Sequence, residues 1–302
     1  MEKKTSRSEI ARAAQLIRAG ELVAFPTETV YGLGANALDP GAIEKIYAAK
    51  GRPPGSPLIV HVSSIEMARG LVREWPEQAE KLARVFWPGP LTLVLPKQPH
   101  VPDRVTAGLD TVGVRMPAHP IAQALIQEAG VPIAAPSANR FTELSPTTAQ
   151  HVREALPGVA MVLDGGPSNV GIESTVLSIA GGDAVLLRPG MVTKSDIEAV
   201  IGPIQAIGSV DDGPHVSPGL HARHYSPKTP LILLPPGQDL PPGRGICLEM
   251  PADSRAYAAA LYERLHEADA QGWEWIAVRQ PPDGEEWAAI RDRLERASLL
   301  SR

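Results

Sequence analysis

The most informative part of the sequence is a pair of stretches, Phe25-Pro-Thr-Glu-Thr-Val-Tyr-Gly-Leu-Gly34 and Lys50-Gly-Arg-Pro-Pro-Gly-Ser-Pro-Leu-Ile-Val-His61. Leu22–Phe25 and Leu58–Val62 are short apolar runs bounded by Pro and Gly, a pattern that predicts buried strands. The hydroxyls and cations between these runs should therefore lie at one edge of a sheet. Ligands of α/β proteins usually bind at such an edge.

The composition predicts a globular protein of two domains. The chain has 302 residues, of which 43% are hydrophobic and 21% are charged, an ordinary balance for a protein with a buried core. The single cysteine, Cys247, excludes an internal disulfide, and its apolar neighbours predict a core position. The polar N-terminus lacks a secretory signal pattern, and no apolar run reaches the roughly 20 residues of a membrane span. We therefore expect a cytoplasmic protein.

Alternating helix and strand patterns predict a mixed α/β domain over residues 1–205. A helical period over Ser8–Ala19, with Ser8 as its cap, opens the domain. The further predicted helices are 42–49, 65–74, 77–86 and 121–129, and the further predicted strands are 91–95, 111–115, 133–135, 161–163, 174–179 and 184–187.

The composition changes after this domain. Residues 206–228 are rich in Gly, Pro, Ser and His, which predicts a linker. Its segment Ser217–Pro227 carries His, Arg and aromatic side chains that a simple spacer does not need. Residues 229–302 predict a small α/β domain, with strands at 231–234, 245–249 and 275–278 and helices at 254–268 and 285–297.

Charge and motifs narrow the class of function. Residues 1–205 carry 19 Lys+Arg against 20 Asp+Glu, and residues 229–302 carry 8 against 12. Tight nonspecific nucleic-acid binding is therefore not expected, because it depends on cations that neutralise phosphates. The sequence also lacks the Gly-x-x-x-x-Gly-Lys-[Ser/Thr] phosphate loop, the Gly-x-Gly-x-x-Gly fingerprint, the His-Glu-x-x-His helix and the Gly-x-Ser-x-Gly elbow. Any nucleotide chemistry must use another kind of site.

The candidate site residues are cations and hydroxyls near predicted strand ends. They are Lys50, Arg52, Arg115, Arg188, Thr29, Ser56, Thr111, Ser137, Asn139, Ser145 and Ser174. Guanidinium groups suit phosphate and carboxylate equally well, so this set favours ligands with more than one anionic group.

The ordered motifs resemble those of the YrdC-like threonylcarbamoyl-AMP synthases in their two-domain form. The residues that carry the resemblance are Pro26-Thr-Glu-Thr-Val-Tyr-Gly-Leu33, Lys50-Gly-Arg52, Trp87-Pro-Gly-Pro-Leu-Thr92, Val112-Gly-Val-Arg-Met-Pro117, Ser137-Ala-Asn139, Ser145-Pro-Thr147, Glu173-Ser-Thr-Val176, Leu187-Arg-Pro-Gly190, Ser217-Pro-Gly219 and His224-Tyr225. The segments 261–269 and 287–294 resemble the second domain of this family.

The resemblance implies a fold and a reaction. The fold is α/β, with a large domain built on a twisted mixed sheet and a smaller Rossmann-like domain. The reaction condenses L-threonine, bicarbonate and ATP into threonylcarbamoyl-AMP and pyrophosphate, and the product serves N6-threonylcarbamoyladenosine formation in tRNA. A downstream tRNA threonylcarbamoyl-transferase is the implied partner. Mg2+ is expected with ATP, held by phosphate oxygens and water rather than by protein side chains.

The resemblance also assigns roles to residues. Lys50, Arg52, Ser137 and Asn139 are the expected catalytic constellation. The expected ATP-binding residues are Arg52, Ser56, Thr111, Ser137, Ser145, Arg188 and Tyr225, and the expected threonine-binding residues are Thr29, His61, Arg115, Ala135 and Ser174. Lys50 and Arg52 should be exposed in a cleft. Without the resemblance, Thr29 and Ser174 also read as turn caps and His61 as a strand histidine.

Three departures and two alternatives accompany this interpretation. Ser56 stands where the family usually has Asn, Ala222 stands where it has Tyr, and the second domain is short. A relative that handles carbamoyl-adenylate shares the YrdC-like domain, but it also carries an acylphosphatase-like domain and zinc-type cysteine motifs that are missing here. An RNA-binding or ribosome-associated module is the other alternative, and the charge balance weakens it.

Overall fold

The computed structural model describes residues 5–206 and 225–298. The described residues form a large mixed sheet of ten strands and a separate parallel sheet of three strands. This arrangement confirms the predicted α/β class, with a larger and a smaller domain. The boundaries at residues 205 and 228 stay predictions, and the linker motifs Ser217-Pro-Gly219, Ala222 and His224 lie outside the described residues.

The strands of the large sheet are β1 Val23–Phe25, β2 Gly32–Asn36, β3 Ile59–His61, β4 Leu91–Pro96, β5 Thr111–Arg115, β6 Ile133–Ala134, β7 Met161–Val162, β8 Thr175–Gly181, β9 Asp183–Arg188 and β10 Gln205–Ala206. Their spatial order is β10-β9-β8-β4-β5-β3-β6-β2-β1-β7. The small sheet consists of β11 Leu231–Leu234, β12 Gly245–Cys247 and β13 Trp275–Arg279, in the order β11-β13-β12.

The helices are α1 Arg7–Arg18, α2 Pro40–Lys50, α3 Ile65–Leu71, α4 Glu77–Phe86, α5 Asp103–Thr106, α6 Pro120–Ala129, α7 Ala149–Ala155, α8 Lys194–Ile201, α9 Ser254–Asp269 and α10 Ala288–Ser298, with a 3-10 turn at Glu285–Trp287. No helix within 5–206 or 225–298 is long and apolar enough to cross a membrane.

Strand register brings distant site residues together. β3 and β5 run parallel with His61 opposite Arg115, so both side chains belong to the carboxyl ends of neighbouring strands. β4 and β8 are also parallel, with Leu91 opposite Thr175. Ser174 directly precedes β8, so it lies at the edge of the sheet beside the turn before β4. Parallel pairing is what places these strand ends at a common edge.

Strand β2 was missed by the sequence prediction, which treated the segment after Phe25 as a loop. Its sequence, Gly32-Leu-Gly-Ala-Asn36, has little strand propensity. Packing explains why glycine is required: a Cβ on Gly34 would lie 2.7 Å from the Phe25 ring and 2.9 Å from the Ile133 side chain. Because glycine has no side chain, Phe25 of β1 and Ile133 of β6 can pack directly against the backbone of β2 at Gly34.

Two smaller predictions were wrong. The cap of α1 is Ser6 rather than Ser8, because Ser6 and Glu9 form a reciprocal capping box. Cys247 is only partly buried, since it lies in a strand at the edge of the small sheet.

The two domains share a hydrophobic cluster. Val30, Leu144 and Ile172 of the large domain pack in one cluster with Tyr225 and with apolar residues of the small domain. Contact between the backbones is close as well: a Cβ on Gly171 would lie 2.4 Å from the carbonyl oxygen of Ala258 in α9. The small domain is therefore docked directly on the loop that leads into β8.

Candidate active site

A cleft lies where the carboxyl ends of β3 and β5 meet the loops before β2, β8 and α7. Nine of the predicted site residues line it: Thr29, Arg52, His61, Arg115, Ala135, Ser137, Ser174, Arg188 and Tyr225. Eight of these residues come from segments spread over most of the large domain, whose strands bring them to one place, and Tyr225 comes from the predicted linker. The cleft is therefore a preformed site rich in guanidinium and hydroxyl groups.

Arg115 is held from three sides. Its Nη1 donates to the Thr29 hydroxyl at 2.9 Å, its Nε donates to the Gly89 carbonyl at 3.2 Å, and its Nη2 lies 2.7 Å from a Glu28 carboxylate oxygen. Both members of the Arg115–Glu28 pair are buried. A buried ion pair with additional hydrogen bonds holds a guanidinium in a defined orientation. Arg115 is thus prepared to meet an anionic group in the cleft.

His61 lies beside Arg115 as a neutral imidazole. Burial, and then the Arg115 charge, lower the pKa of His61 to about 3. The ring packs edge-on against Phe25 with centroids 6.1 Å apart, and Nδ1 is buried without a hydrogen-bond partner among the described residues. Backbone groups of Ile133 and Ile59 interact with the ring and partly oppose this lowering of the pKa, as the sequence-based alternative of a strand histidine predicts. A role for His61 in ligand binding stays a prediction.

Ser174 and Arg188 line the cleft as a hydrogen-bonded pair. The Ser174 hydroxyl shares a 2.8 Å hydrogen bond with Thr92, and Arg188 donates from Nη2 to the Ser174 carbonyl at 3.0 Å and to its hydroxyl at 3.2 Å. Burial lowers the pKa of Arg188 from its usual value, but the guanidinium stays cationic at neutral pH.

Arg52 reaches the cleft from the end of α2, where Gly51 takes a left-handed conformation with φ 62°. Its Nη2 donates to the Pro57 carbonyl at 3.2 Å, and its guanidinium lies 5.9 Å from the centre of the Phe141 ring. Burial lowers the pKa of Arg52 to about 10, so the side chain remains charged at neutral pH.

Lys50 lies behind the cleft rather than in it. Its Nζ donates to the Ser137 carbonyl at 2.5 Å and to the Asn139 carbonyl, and it lies 3.5 Å from the Asn139 amide oxygen. The ammonium therefore holds the backbone of 137–139, the segment that carries the Ser137 side chain to the cleft. Burial, and then the Arg52 charge, hold the pKa of Lys50 well below its usual value.

The expectation that Lys50 and Arg52 are exposed was wrong. Lys50 is 3% exposed and Arg52 is 7% exposed. Both side chains are covered because carbonyl oxygens of neighbouring loops surround their charged ends. A cation with such partners tolerates burial, whereas an isolated one does not.

Besides Lys50, four predicted residues lie outside the cleft lining. Asn139, Ser56 and Ser145 are buried, and the Ser145 hydroxyl donates to Glu173 at 2.5 Å. Thr111 lines a small neighbouring cavity with Thr92 and Val176 instead. Roles for these four side chains in ligand binding stay predictions.

Two carboxylates were missed by the site prediction. Glu28 supports Arg115, as described above, and Glu173 lines the cleft itself. Each lies inside a motif that was noticed, next to Thr29 and Ser174 respectively, and that adjacency was the available signal. Hydroxyls and cations were favoured because the expected ligands are anionic.

Fold and site together define a two-domain α/β protein with a preformed, cation-lined cleft at the edge of its large sheet. This class suits enzymes that position anionic substrates without a protein nucleophile.

Comparison with known proteins identifies the family. A family model described as "Telomere recombination" (Sua5_yciO_yrdC) matches residues 15–190, and a model described as "Threonylcarbamoyl-AMP synthase, C-terminal domain" matches residues 192–298. A threonylcarbamoyl-AMP synthase of Bacillus subtilis is 54% identical over 76% of this chain and 67% of its own length. One from Pyrococcus abyssi is 52% identical over 75% of this chain and 68% of its own length.

A solved structure of P. abyssi Sua5 complexed with L-threonine is similar throughout, with a TM-score of 0.90 and 40% identity over 98% of this chain and 96% of that one. The chain belongs to the threonylcarbamoyl-AMP synthase family and is an enzyme of the nucleotidyl-transfer type. The family predicted from the motifs is thereby confirmed.

Proposed function

We propose that this chain condenses L-threonine, bicarbonate and ATP into threonylcarbamoyl-AMP and pyrophosphate. The observation that carries the proposal is the convergence of Arg52, Arg115 and Arg188 on one cleft that also presents hydroxyl groups. Three guanidinium groups suit a triphosphate together with an amino-acid carboxylate. The similar structure that holds L-threonine supports the amino-acid part of this proposal.

The threonine end is assigned to the Arg115 side of the cleft. Arg115 pairs with the substrate carboxylate, and Thr29 and Ser174 offer hydroxyls to its polar groups. Neutral His61 has a free Nδ1 lone pair or proton for the threonine amine or hydroxyl. Ala135 contributes its backbone at the end of β6.

The nucleotide end is assigned to Arg52, Arg188, Ser137 and Tyr225. Arg52 and Arg188 offset charge that develops on the phosphates during transfer. Lys50 acts through the carbonyl groups that it binds, by holding Ser137 and Asn139 in place. Ser56, Thr111 and Ser145 are assigned to the nucleotide by family resemblance.

The chemistry then needs positioning and no covalent enzyme intermediate. The threonine amine adds to the carbon of bicarbonate or CO2, and with bicarbonate a water molecule leaves to give the carbamate. A carbamate oxygen attacks the α-phosphorus of ATP in line, the bond from the α-phosphorus to the bridging oxygen breaks, and pyrophosphate departs. The cleft supplies orientation and charge neutralisation for both steps.

Mg2+ is part of the proposal as a companion of ATP. Glu173, which lines the cleft, pairs with Arg293, and Glu28 pairs with Arg115. In the described part of the chain, no group of three or more His, Cys, Asp or Glu side chains is placed to hold a metal ion. These residues fit a metal carried by the triphosphate and its water ligands, which shields phosphate charge.

The product is proposed to serve N6-threonylcarbamoyladenosine formation in tRNA through a separate transferase, in the cytoplasm. The formal net charge of −5 does not favour tight direct tRNA binding.

The carbamoyl-adenylate alternative is disfavoured, because the second domain matches the synthase C-terminal domain.

Mass spectrometry of the reaction products tests the proposal. ATP, threonine, bicarbonate and Mg2+ together should give threonylcarbamoyl-AMP and pyrophosphate, and omission of any one component, or addition of EDTA, should abolish the product. Threonine-independent conversion of carbamoyl phosphate and ATP would support the carbamoyl alternative instead. Thermal stabilisation by RNA but not by ATP with threonine would support the RNA-binding alternative.

A further inference from the structure

Glu173 lines the cleft, but its counter-charge comes from the small domain. Nε of Arg293, in α10, lies 2.8 Å from a Glu173 carboxylate oxygen, and the Arg293 side chain is completely buried. The Tyr262 hydroxyl, in α9, donates to the same carboxylate oxygen at 3.1 Å. Two helices of the small domain thus reach one acidic group of the cleft.

Arg293 also binds backbone carbonyls in two chain segments that carry cleft residues. Its Nη2 donates to the carbonyl of Pro189 at 3.1 Å and to that of Glu173 at 3.4 Å. Pro189 directly follows Arg188, and Glu173 directly precedes Ser174. One guanidinium therefore connects the two segments that present Arg188 and Ser174.

A third segment of the cleft, at Tyr225, also contacts the Arg293 side chain. The Arg293 guanidinium carbon lies 5.2 Å from the centre of the Tyr225 ring, and Tyr225 lines the cleft with a left-handed backbone at φ 62°. A guanidinium over an aromatic face stabilises the position of the ring.

The electrostatic consequence concerns the nucleotide. Burial alone would raise the pKa of the Glu173 carboxyl, but Arg293, then Arg188 and the hydrogen bond from Ser145 outweigh burial and lower it. Glu173 is therefore a carboxylate at neutral pH, in a cleft that has to accept a triphosphate. An anion there repels phosphate unless a nearby cation balances it.

We infer that Arg293 is a positioning residue for nucleotide binding, through which the small domain balances the charge of Glu173 and holds the segments at Arg188, Ser174 and Tyr225. This inference rests on the proposed function, because it takes the ligand to be ATP. By this inference, the small domain contributes directly to nucleotide binding at the active site.

The test measures binding of a non-hydrolysable ATP analogue to the full chain by isothermal titration calorimetry. R293M should weaken binding at least tenfold, because it leaves an unbalanced carboxylate beside the phosphates. The double variant R293M/E173Q should recover at least half of that loss on a logarithmic scale, since glutamine has the same shape without the charge: its oxygen accepts from one of the two hydroxyls, Ser145 or Tyr262, and its NH2 group donates to the other. R291M is the matched control on the same helix, because Arg291 binds only the carbonyls of Pro282 and Gly284 among the described residues.

The outcomes separate the possibilities. Unchanged binding by a folded R293M overturns the inference, and so does a double variant as weak as R293M, which would mean that Arg293 is only a structural brace. If circular dichroism shows that R293M does not fold, Y262F is the second variant: it removes a hydrogen bond to the same carboxylate and should weaken binding about threefold while the circular dichroism spectrum stays native. Unchanged binding by Y262F overturns the inference. Failure of the unsubstituted chain to bind the analogue would instead refute the proposed function.

Discussion

Single side chains at the cleft act as supports for one another. Contacts to Thr29, Gly89 and Glu28 fix the orientation of Arg115. Lys50 fixes the backbone at Ser137 by donating to its carbonyl. Such buried polar groups are costly to disturb, because each lost partner leaves a donor or acceptor without compensation.

Replacement of Arg115 tests the threonine end. In R115K the ammonium cannot keep three directed contacts and a two-point contact to a carboxylate. Hydrogen bonds to charged groups contribute about 1.5–3 kcal/mol, so we expect KM for threonine to rise about ten- to hundredfold. Steady-state pyrophosphate release measures this, with R153K as a control at an exposed arginine. An unchanged threonine KM in R115K would refute the assignment.

His61 should make the protein sensitive to acid. Its pKa is about 3 in the folded protein and about 6.5 in the unfolded chain, so unfolding takes up a proton between these values. The free energy of unfolding should therefore fall as the pH is lowered from about 6.5 toward 3, by about 1.4 kcal/mol per pH unit from this group alone. Urea titrations at several pH values should show a shallower decline in H61N. Parallel curves for the two proteins would contradict the burial of a neutral His61.

Among the elements, β2 is the strand that tertiary packing imposes against local propensity. Gly34 faces the Phe25 ring and Ile133 of β6, and the strand joins β6 to β1 in the sheet. This strand follows the Thr27–Val30 turn of the cleft, so its position also sets the position of Thr29.

The substitution G34A tests this packing. The added methyl group meets Phe25 and Ile133 at distances below 3 Å. Overpacking of this kind typically costs about 1–3 kcal/mol, and we expect a loss of this size in chemical unfolding. G70A in helix α3 is the control, because its methyl group meets no atom within 4 Å and alanine favours helix. Equal stability of G34A and the unsubstituted chain would show that the sheet adapts at this point.

At the scale of the whole molecule, the two domains share a buried interface beside the cleft. The shared hydrophobic cluster and the buried Arg293–Glu173 pair cross the domain boundary. We therefore expect a single cooperative unfolding transition, seen alike by circular dichroism and by tryptophan fluorescence.

The substitution G171A should loosen this docking. Its methyl group would lie 2.4 Å from the Ala258 carbonyl oxygen, and the residue also has φ +80°. G166A is the matched control, because Gly166 has φ +78° but an open environment, so it carries the backbone strain without the clash. We expect G171A to be less stable than G166A by about 1–3 kcal/mol and to bind ATP more weakly. Equal values for the two variants would show that α9 moves away without consequence.

Much of this architecture followed from local patterns in the chain. Apolar runs at Leu58–Val62 and Leu91–Leu95 predicted strands, and hydroxyls and cations at their ends predicted an anion site. The order of motifs from Pro26 to Tyr225 was enough to name the family. These features are local, because strand period, turn residues and the chemical type of a side chain can be read over a few neighbours.

Other features depend on contacts between distant residues. The burial of Lys50, the strand at Gly32–Asn36 and the pairing of Arg293 with Glu173, 120 positions apart, have no local signature. They arise from strand register and from the docking of one domain on the other, which set the partners of each charge. For that reason the chemical types of the cleft residues were readable in advance, whereas the support of the cleft by the small domain became visible in three dimensions.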